Sequence, residues 1–303
     1  MVDTDLAGQV VLLTGGTSGI GQIAARRLAE RGATVAVVGR NRDRGEALAD
    51  EFTDGNATRG EGRITFHQVD LSTQSAVRHL ADEVRETYDR LDVLAHNAGL
   101  SRSKRIETVD GIELTLAVNH LAPYLLTYEL LDRLCESRSS SDPTPRVVVT
   151  ASDIHRRATF DFDDLQLERE YNGLDAYARS KLATVAFTIE LAERLDARCN
   201  RNITANCFHP GFVPATGLFR DAAPWVRAGM HVASLVPMVG TTPEEGARRL
   251  ATLVADPKFE ERTGRYVGGD GAVEPDRAAT DPEARTRLWD LSADLVAVDP
   301  DWP

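Results

Sequence analysis

The stretch Thr14-Gly15-Gly16-Thr17-Ser18-Gly19-Ile20-Gly21 places four glycines between two segments of different periodicity. Ahead of it, Gln9-Val10-Val11-Leu12-Leu13 is an apolar, β-branched run too short for a helix; beyond it, Ile20, Ile23, Ala24 and Leu28 recur at helical spacing. A strand joined to a helix by such a turn brings bare backbone N–H groups to a helix N-terminus, where a pyrophosphate binds well. The spacing is Gly-x-x-x-Gly-x-Gly, not the better-known Gly-x-Gly-x-x-Gly. The glycines alone therefore leave open a tight turn without a ligand.

The rest of the chain repeats the strand-then-helix theme. Residues 34–38, 64–69, 92–95, 146–150 and 203–208 are short β-branched runs separated by longer, charged, helix-compatible stretches. That alternation predicts an α/β fold, a doubly wound parallel sheet flanked by helices. Loops are expected at 54–62, 137–145 and 153–173. The stretch 212–239, with Phe212, Phe219, Trp225, Met230, Leu235 and Met238, reads as a substrate lid, packing against the protein's own core or a subunit neighbour being the alternative. With 303 residues and neither a tandem repeat nor a break in composition, a single domain over 1–303 is expected, with a C-terminal extension at 275–303. In such a sheet, ligands lie beyond the carboxyl ends of the strands. Asn97, Ser152 and Pro210-Gly211 each follow a predicted strand and so belong to that edge.

A net charge of -12 argues against unaided binding to nucleic acid or an anionic membrane. Residues 1–8 lack the basic start and apolar run of a signal peptide, and no stretch approaches transmembrane length. Cys135, Cys199 and Cys207 are odd in number and lack paired or metal-ligand spacing. A soluble, cytoplasmic protein with no metal is expected; His96, His155 and His209 also lack ligand spacing.

Tyr177 and Lys181 stand four apart near the start of a helix predicted over 175–198, so their side chains share one face. A phenol titrates near pH 10 in water, and proton exchange near neutrality requires lowering that by roughly three units, about 4 kcal/mol. A fixed ammonium nearby is expected to supply part of the shift, and an oxidised nicotinamide more. An ordinary helix-surface pair is the alternative.

Together these motifs resemble the short-chain dehydrogenase/reductase family, along nearly the whole chain. The glycine turn is similar to that family's Thr-Gly-x-x-x-Gly-x-Gly, and Tyr177-Ala178-Arg179-Ser180-Lys181 to its Tyr-x-x-x-Lys. His96-Asn97-Ala98-Gly99 resembles its Asn-Asn-Ala-Gly, with His96 departing at the first position. The resemblance implies a single Rossmann-type domain. It further implies cofactor binding by Gly15, Thr17, Ser18, Gly19, Ile20 and Gly21, by Asp70 and Leu71 at the adenine, and by Asn97, Ala98 and Gly99. Pro210, Gly211, Val213 and Thr216 would border the nicotinamide. Ser152 would bind the substrate oxygen, Tyr177 exchange the proton, Lys181 hold the ribose, and Asn119 belong to the proton relay. The run Asn119-His120-Leu121-Ala122-Pro123-Tyr124-Leu125-Leu126-Thr127, the long gap from Ser152 to Tyr177, and the late Leu288-Trp289-Asp290-Leu291-Ser292 resemble the retinol dehydrogenase-like and WW-domain oxidoreductase-like branch. By analogy, a homodimer or homotetramer joined through the helix carrying Tyr177 is expected.

Cofactor choice is read at the end of the second strand, Val37-Val38-Gly39-Arg40-Asn41-Arg42. An acidic residue there would bind the ribose 2′-hydroxyl of NAD, whereas a guanidinium matches a 2′-phosphate. Gly39 holds the acidic position and Arg40 follows it, so NADP is expected in preference to NAD. A solvated arginine cluster at 40, 42 and 44 is the alternative. The expected activity is hydride transfer between nicotinamide and an apolar, small-molecule carbonyl or alcohol. A catalytically silent NADP-sensing protein and epimerase or dehydratase chemistry are the competing readings.

Overall fold

The computed structural model describes residues 4–52, 62–137, 143–199, 203–213, 240–269 and 271–303. Its centre is an eight-stranded sheet: β1 (Val10–Thr14), β2 (Thr34–Gly39), β3 (Arg63–Gln68), β4 (Val93–His96), β5 (Arg146–Thr150), β6 (Thr204–Phe208), β7 (Tyr266–Gly268) and β8 (Gly271–Ala272). The spatial order is β3-β2-β1-β4-β5-β6-β7-β8, parallel throughout except for β8, which pairs antiparallel to β7. The six strands expected from β-branched runs are all present, displaced by at most one or two residues. The last two were not expected, because three and two residues are too few to show a period.

Both faces of the sheet are covered, which is why the inner strands read as continuous apolar runs. Alternate residues serve different cores. Val10, Leu12, Ala36 and Val38 face the layer of α3 (Gln74–Thr87), α5 (Ala122–Glu136) and α6 (Gly173–Cys199). Val11, Leu13, Val35 and Val37 face α1 (Gly19–Ala29), which packs against α7 (Pro243–Ala255). The remaining α-helices among the described residues are α2 (Arg42–Asp50), the single turn α4 (Leu114–Leu116), and α8 (Arg277–Thr280) with α9 (Pro282–Val296).

The expected loop at 153–173 begins with a 3-10 turn, Asp153–Arg157. The segment expected as a C-terminal extension is built into the core: Leu288, Trp289, Ala293, Val296 and Trp302 are buried with Tyr124 and Phe187. Thr216 and the expected lid beyond Val213 lie outside the described residues, as do 54–61 and 138–142 of the expected loops. Among the described residues, no helix is long and apolar enough to cross a membrane.

The strand order reverses between β1 and β4, and in a sheet of this kind the crevice at that switch point receives the ligand.

Candidate active site

The glycine turn leaves β1 at the switch point. Gly15 has φ +69° and Gly19 φ +55°, a region L side chains disfavour. A Cβ on Gly15 would lie 2.8 Å from the Ala98 Cα, and one on Gly21 would lie 2.3 Å from the Gly15 carbonyl oxygen. At Gly19 a Cβ would meet nothing within 4 Å, so the backbone there opens onto free space. Ser18 precedes α1 in extended conformation without a side-chain capping bond, leaving the first N–H groups of the helix directed at that space. This is a cradle shaped for a phosphate, and the residues fit a dinucleotide.

Asn97 fastens the turn to β4. Its Nδ2 donates to the Thr14 and Gly15 carbonyls at 3.3 and 3.2 Å, and Thr14 Oγ1 accepts from the backbone N–H groups of Asn97 and Ala98. His96, the unusual neighbour, points away from the crevice. It is fully buried, Thr127 Oγ1 donates to the Pro123 carbonyl, and His96 Nε2–H therefore donates to Thr127 at 2.9 Å. Burial pushes its pKa down to about 3, so it is neutral.

Along the same edge a cavity of about 1360 Å³ runs from the glycine turn to Ser152, Tyr177 and Lys181. Every residue expected at the site lines it except Asn119, which lies behind the wall, and Thr216, which lies outside the described residues. Ser152 follows β5 in extended conformation at the head of the 3-10 turn, and its side chain hydrogen-bonds the Tyr177 hydroxyl. Lys181 Nζ, one helical turn along α6, donates to the Thr150 carbonyl at 2.7 Å and sits 5.9 Å from the centre of the Tyr177 ring.

The electrostatics differ from the sequence expectation. Burial pushes Tyr177 up to about 12, opposed by the Ser152 hydrogen bond, and pushes Lys181 down to about 8, opposed by Cys207. For the phenol, desolvation outweighs any help the lysine gives. At neutral pH the phenol is therefore protonated and the lysine still charged.

Asn119 occupies the middle of a π turn, Ala117–Leu121, that leads into α5. Its side chain pairs with both backbone groups of Leu100 at 2.9 Å and donates to Ser180 Oγ, which in turn donates to the Tyr177 carbonyl. Its own carbonyl accepts from Thr184 Oγ1 at 3.2 Å. In this arrangement Asn119 ties α6 to the segment that follows β4.

At the other end, Arg40 and Arg44 line the cavity, and among the described residues neither side chain has an ion pair. Arg42 is engaged: it donates to Gln68 at 3.0 Å and pairs with Glu46 at 3.3 Å. The expected arginine cluster thus divides into one structural member and two that face the crevice. Sequence reasoning missed Ile154, Arg157 and Leu174 on the wall near Ser152. They stand in or beside a stretch read as loop, where no periodicity marks an inward side. Leu174 and Phe212 are 42% and 49% exposed, an apolar mouth beside the hydroxyl pair. Among the described residues, no group of three or more His, Cys, Asp or Glu side chains is placed to hold a metal ion.

A doubly wound sheet with a glycine cradle at its switch point, and a serine, tyrosine and lysine at the neighbouring strand end, defines a dinucleotide-dependent enzyme class. Residues 9–227 match the short chain dehydrogenase family profile, and the chain belongs to the short-chain dehydrogenase/reductase family of NAD(P)-dependent oxidoreductases. It is 35% identical to retinol dehydrogenase 14 of Homo sapiens over 96% of this chain and 87% of that protein. It is 37% identical to polyprenol dehydrogenase of Mus musculus over 93% and 82%, respectively. Among solved structures, an uncharacterised protein from Mycobacterium paratuberculosis superposes with TM-score 0.77 at 30% identity, covering 98% of this chain and 96% of that one. A short chain dehydrogenase from Burkholderia cenocepacia in complex with NADP gives TM-score 0.65 at 28% identity, covering 88% and 98%.

Proposed function

We propose that the protein is an NADP-dependent oxidoreductase that transfers a hydride between nicotinamide and an apolar carbonyl or alcohol. The observation that carries this reading is the meeting of the Ser152–Tyr177 hydroxyl pair, the Lys181 ammonium and the glycine cradle in one cavity. When bound, the nicotinamide supplies the hydride at its C4. Ser152 and Tyr177 donate hydrogen bonds to the substrate oxygen as negative charge develops there, and Tyr177 transfers its proton to that oxygen. Lys181, its position fixed by the Thr150 carbonyl, would hold the ribose hydroxyls. A phenol held high by burial starts as the acid, which suits reduction of a carbonyl.

The preference for NADP rests on Gly39 at the position an acidic residue would hold, and on Arg40 and Arg44 facing the crevice. The NADP complex of the Burkholderia relative supports it. The apolar substrate rests on Leu174 and Phe212 at the mouth. Relatives named for retinol and polyprenol, alcohols on long apolar chains, point the same way. The cysteine spacing supports a cytoplasmic location.

The test is NADPH oxidation with a series of straight-chain aldehydes. Each methylene buried at the mouth contributes up to about 0.8 kcal/mol, so kcat/KM should rise along the series until the pocket is full. A flat profile, or a preference for short hydrophilic carbonyls, would reject the apolar substrate. Equal kcat/KM with NADH and NADPH would reject the cofactor preference.

A further inference from the structure

His155 lies in the 3-10 turn that follows Ser152, has no exposed surface, and takes no direct part in the chemistry above. Both of its ring nitrogens are engaged. Nδ1 lies 2.8 Å from the Ser152 carbonyl oxygen, which also accepts the His155 backbone N–H at 3.1 Å. Nε2 lies 3.0 Å from the backbone N–H of Asp276. A carbonyl only accepts and an amide N–H only donates, so the ring is fixed as the neutral tautomer with its proton on Nδ1.

Asp276 caps α8 through the Ala278 N–H, so the ring joins the Ser152 backbone to the start of the C-terminal segment. The neighbouring bonds run the same way. Arg156 donates to the Glu274 carbonyl and to the Asp153 carboxylate, and the Tyr266 hydroxyl donates to Asp153 at 3.4 Å. The Tyr266 ring lies edge-on to His155 at 5.0 Å and stacks on His209, whose side chain borders the cavity.

We propose that His155 is a positioning residue: its neutral ring, seated by the Asp276 N–H, clamps the Ser152 carbonyl through Nδ1–H, and it is this bond that sets the direction of the Ser152 hydroxyl. Apart from its bond to the Tyr177 hydroxyl, which is itself a reacting group, the Ser152 Oγ has within its own turn only a long contact to the Ile154 N–H, 3.5 Å, so its direction depends on how its backbone is held. A hydroxyl aimed at a reacting oxygen works only when its backbone is held within a fraction of an ångström. The inference rests on the oxidoreductase reading of the site.

The two ring bonds separate by substitution. The asparagine of His155→Asn places an amide donor near the Nδ1 position, whereas the glutamine of His155→Gln places an oxygen acceptor near Nε2. Each variant loses one buried bond, so their melting temperatures should fall by similar amounts. His155→Gln should lose at least tenfold in kcat for aldehyde reduction, with its NADPH dissociation constant unchanged, and His155→Asn should recover to within threefold of the parent. Equal kcat losses in both variants, or none in either, would overturn the proposal. Nitrogen-15 NMR of histidine-labelled parent reads the clamp without turnover: an Nδ1–H ring at pH 7 is expected, and an Nε2–H ring would overturn it. A parent with the Nδ1–H ring but no hydride transfer would instead refute the oxidoreductase reading and leave the clamp standing.

Discussion

Lys181 is a charged group held in the interior, and among the described residues its hydrogen bond goes to one neutral oxygen, the Thr150 carbonyl. Its pKa falls from 10.5 to about 8 on folding because burial disfavours the ammonium. Between pH 8 and 10.5 the unfolded chain holds more protons at this group than the folded one, so its contribution to stability rises with pH across that window. Below pH 8 the buried charge costs a few kcal/mol in full. Lys181→Met should therefore abolish turnover yet raise the melting temperature of the cofactor-free protein at pH 7, with the gain shrinking toward pH 10. A variant less stable than the parent at pH 7 would mean that the ammonium is net stabilising. At the opposite end of the cavity, Arg40→Ala should weaken NADPH binding by about 1.5 to 3 kcal/mol, the scale of a charge-assisted hydrogen bond, with NADH unaffected. Arg44→Ala should do the same to a smaller degree, and Arg42→Ala, whose side chain is already paired, should not. Titration with both dinucleotides checks all three, and equal losses for NADH and NADPH would take the phosphate contact away from Arg40.

Among the elements, the C-terminal helix and tail show how far local sequence can mislead. Trp302 is buried against Tyr124, Tyr128 and Trp289, and its Nε1 donates to the Tyr124 hydroxyl at 2.8 Å. Trp289 Nε1 donates to the Pro300 carbonyl, and the Arg194 guanidinium lies 4.4 Å above the Trp289 ring. Trp302→Ala should cost about 3 to 5 kcal/mol in a denaturant titration, as for other large core aromatics, and a loss below 1 kcal/mol would contradict a packed tail. Nothing near residue 302 has periodicity, so its burial was not legible; it depends on partners some 110 to 180 residues away in sequence. The inner strands and α6 were legible because each carries its own period or apolar run. The glycine turn, Tyr177 and Lys181 were legible because their chemistry fixes their spacing. Arg157, Ile154 and Leu174 were not, since the wall of a cavity built from a loop leaves no local signal. The contacts of Asn119 were not legible for a related reason: a π turn aims its side chain at Leu100 and Ser180, which spacing alone does not reveal.

For the molecule as a whole, the helix that carries Tyr177 and Lys181 is also a central element of the core. Residues 180–192 of this helix are all buried within one chain, beneath the 3-10 turn, the π turn, α8 and α9. The middle of the helix carrying Tyr177 thus has no free face, and the expectation that copies join through it does not suit this chain. We place any subunit contact elsewhere: amide exchange across 180–192 should be independent of protein concentration over a hundredfold range, and added protection at high concentration would put the contact back on α6. The central claim is that one cavity joins a dinucleotide cradle to a tyrosine that exchanges the proton. Steady-state NADPH oxidation with a medium-chain aldehyde by the parent and by Tyr177→Phe, beside an NADPH titration of each, tests it most directly. The account predicts turnover in the parent, a loss of at least a hundredfold in kcat in the variant, on the general acid–base scale, and NADPH binding retained in both. Activity of the variant within threefold of the parent would contradict it.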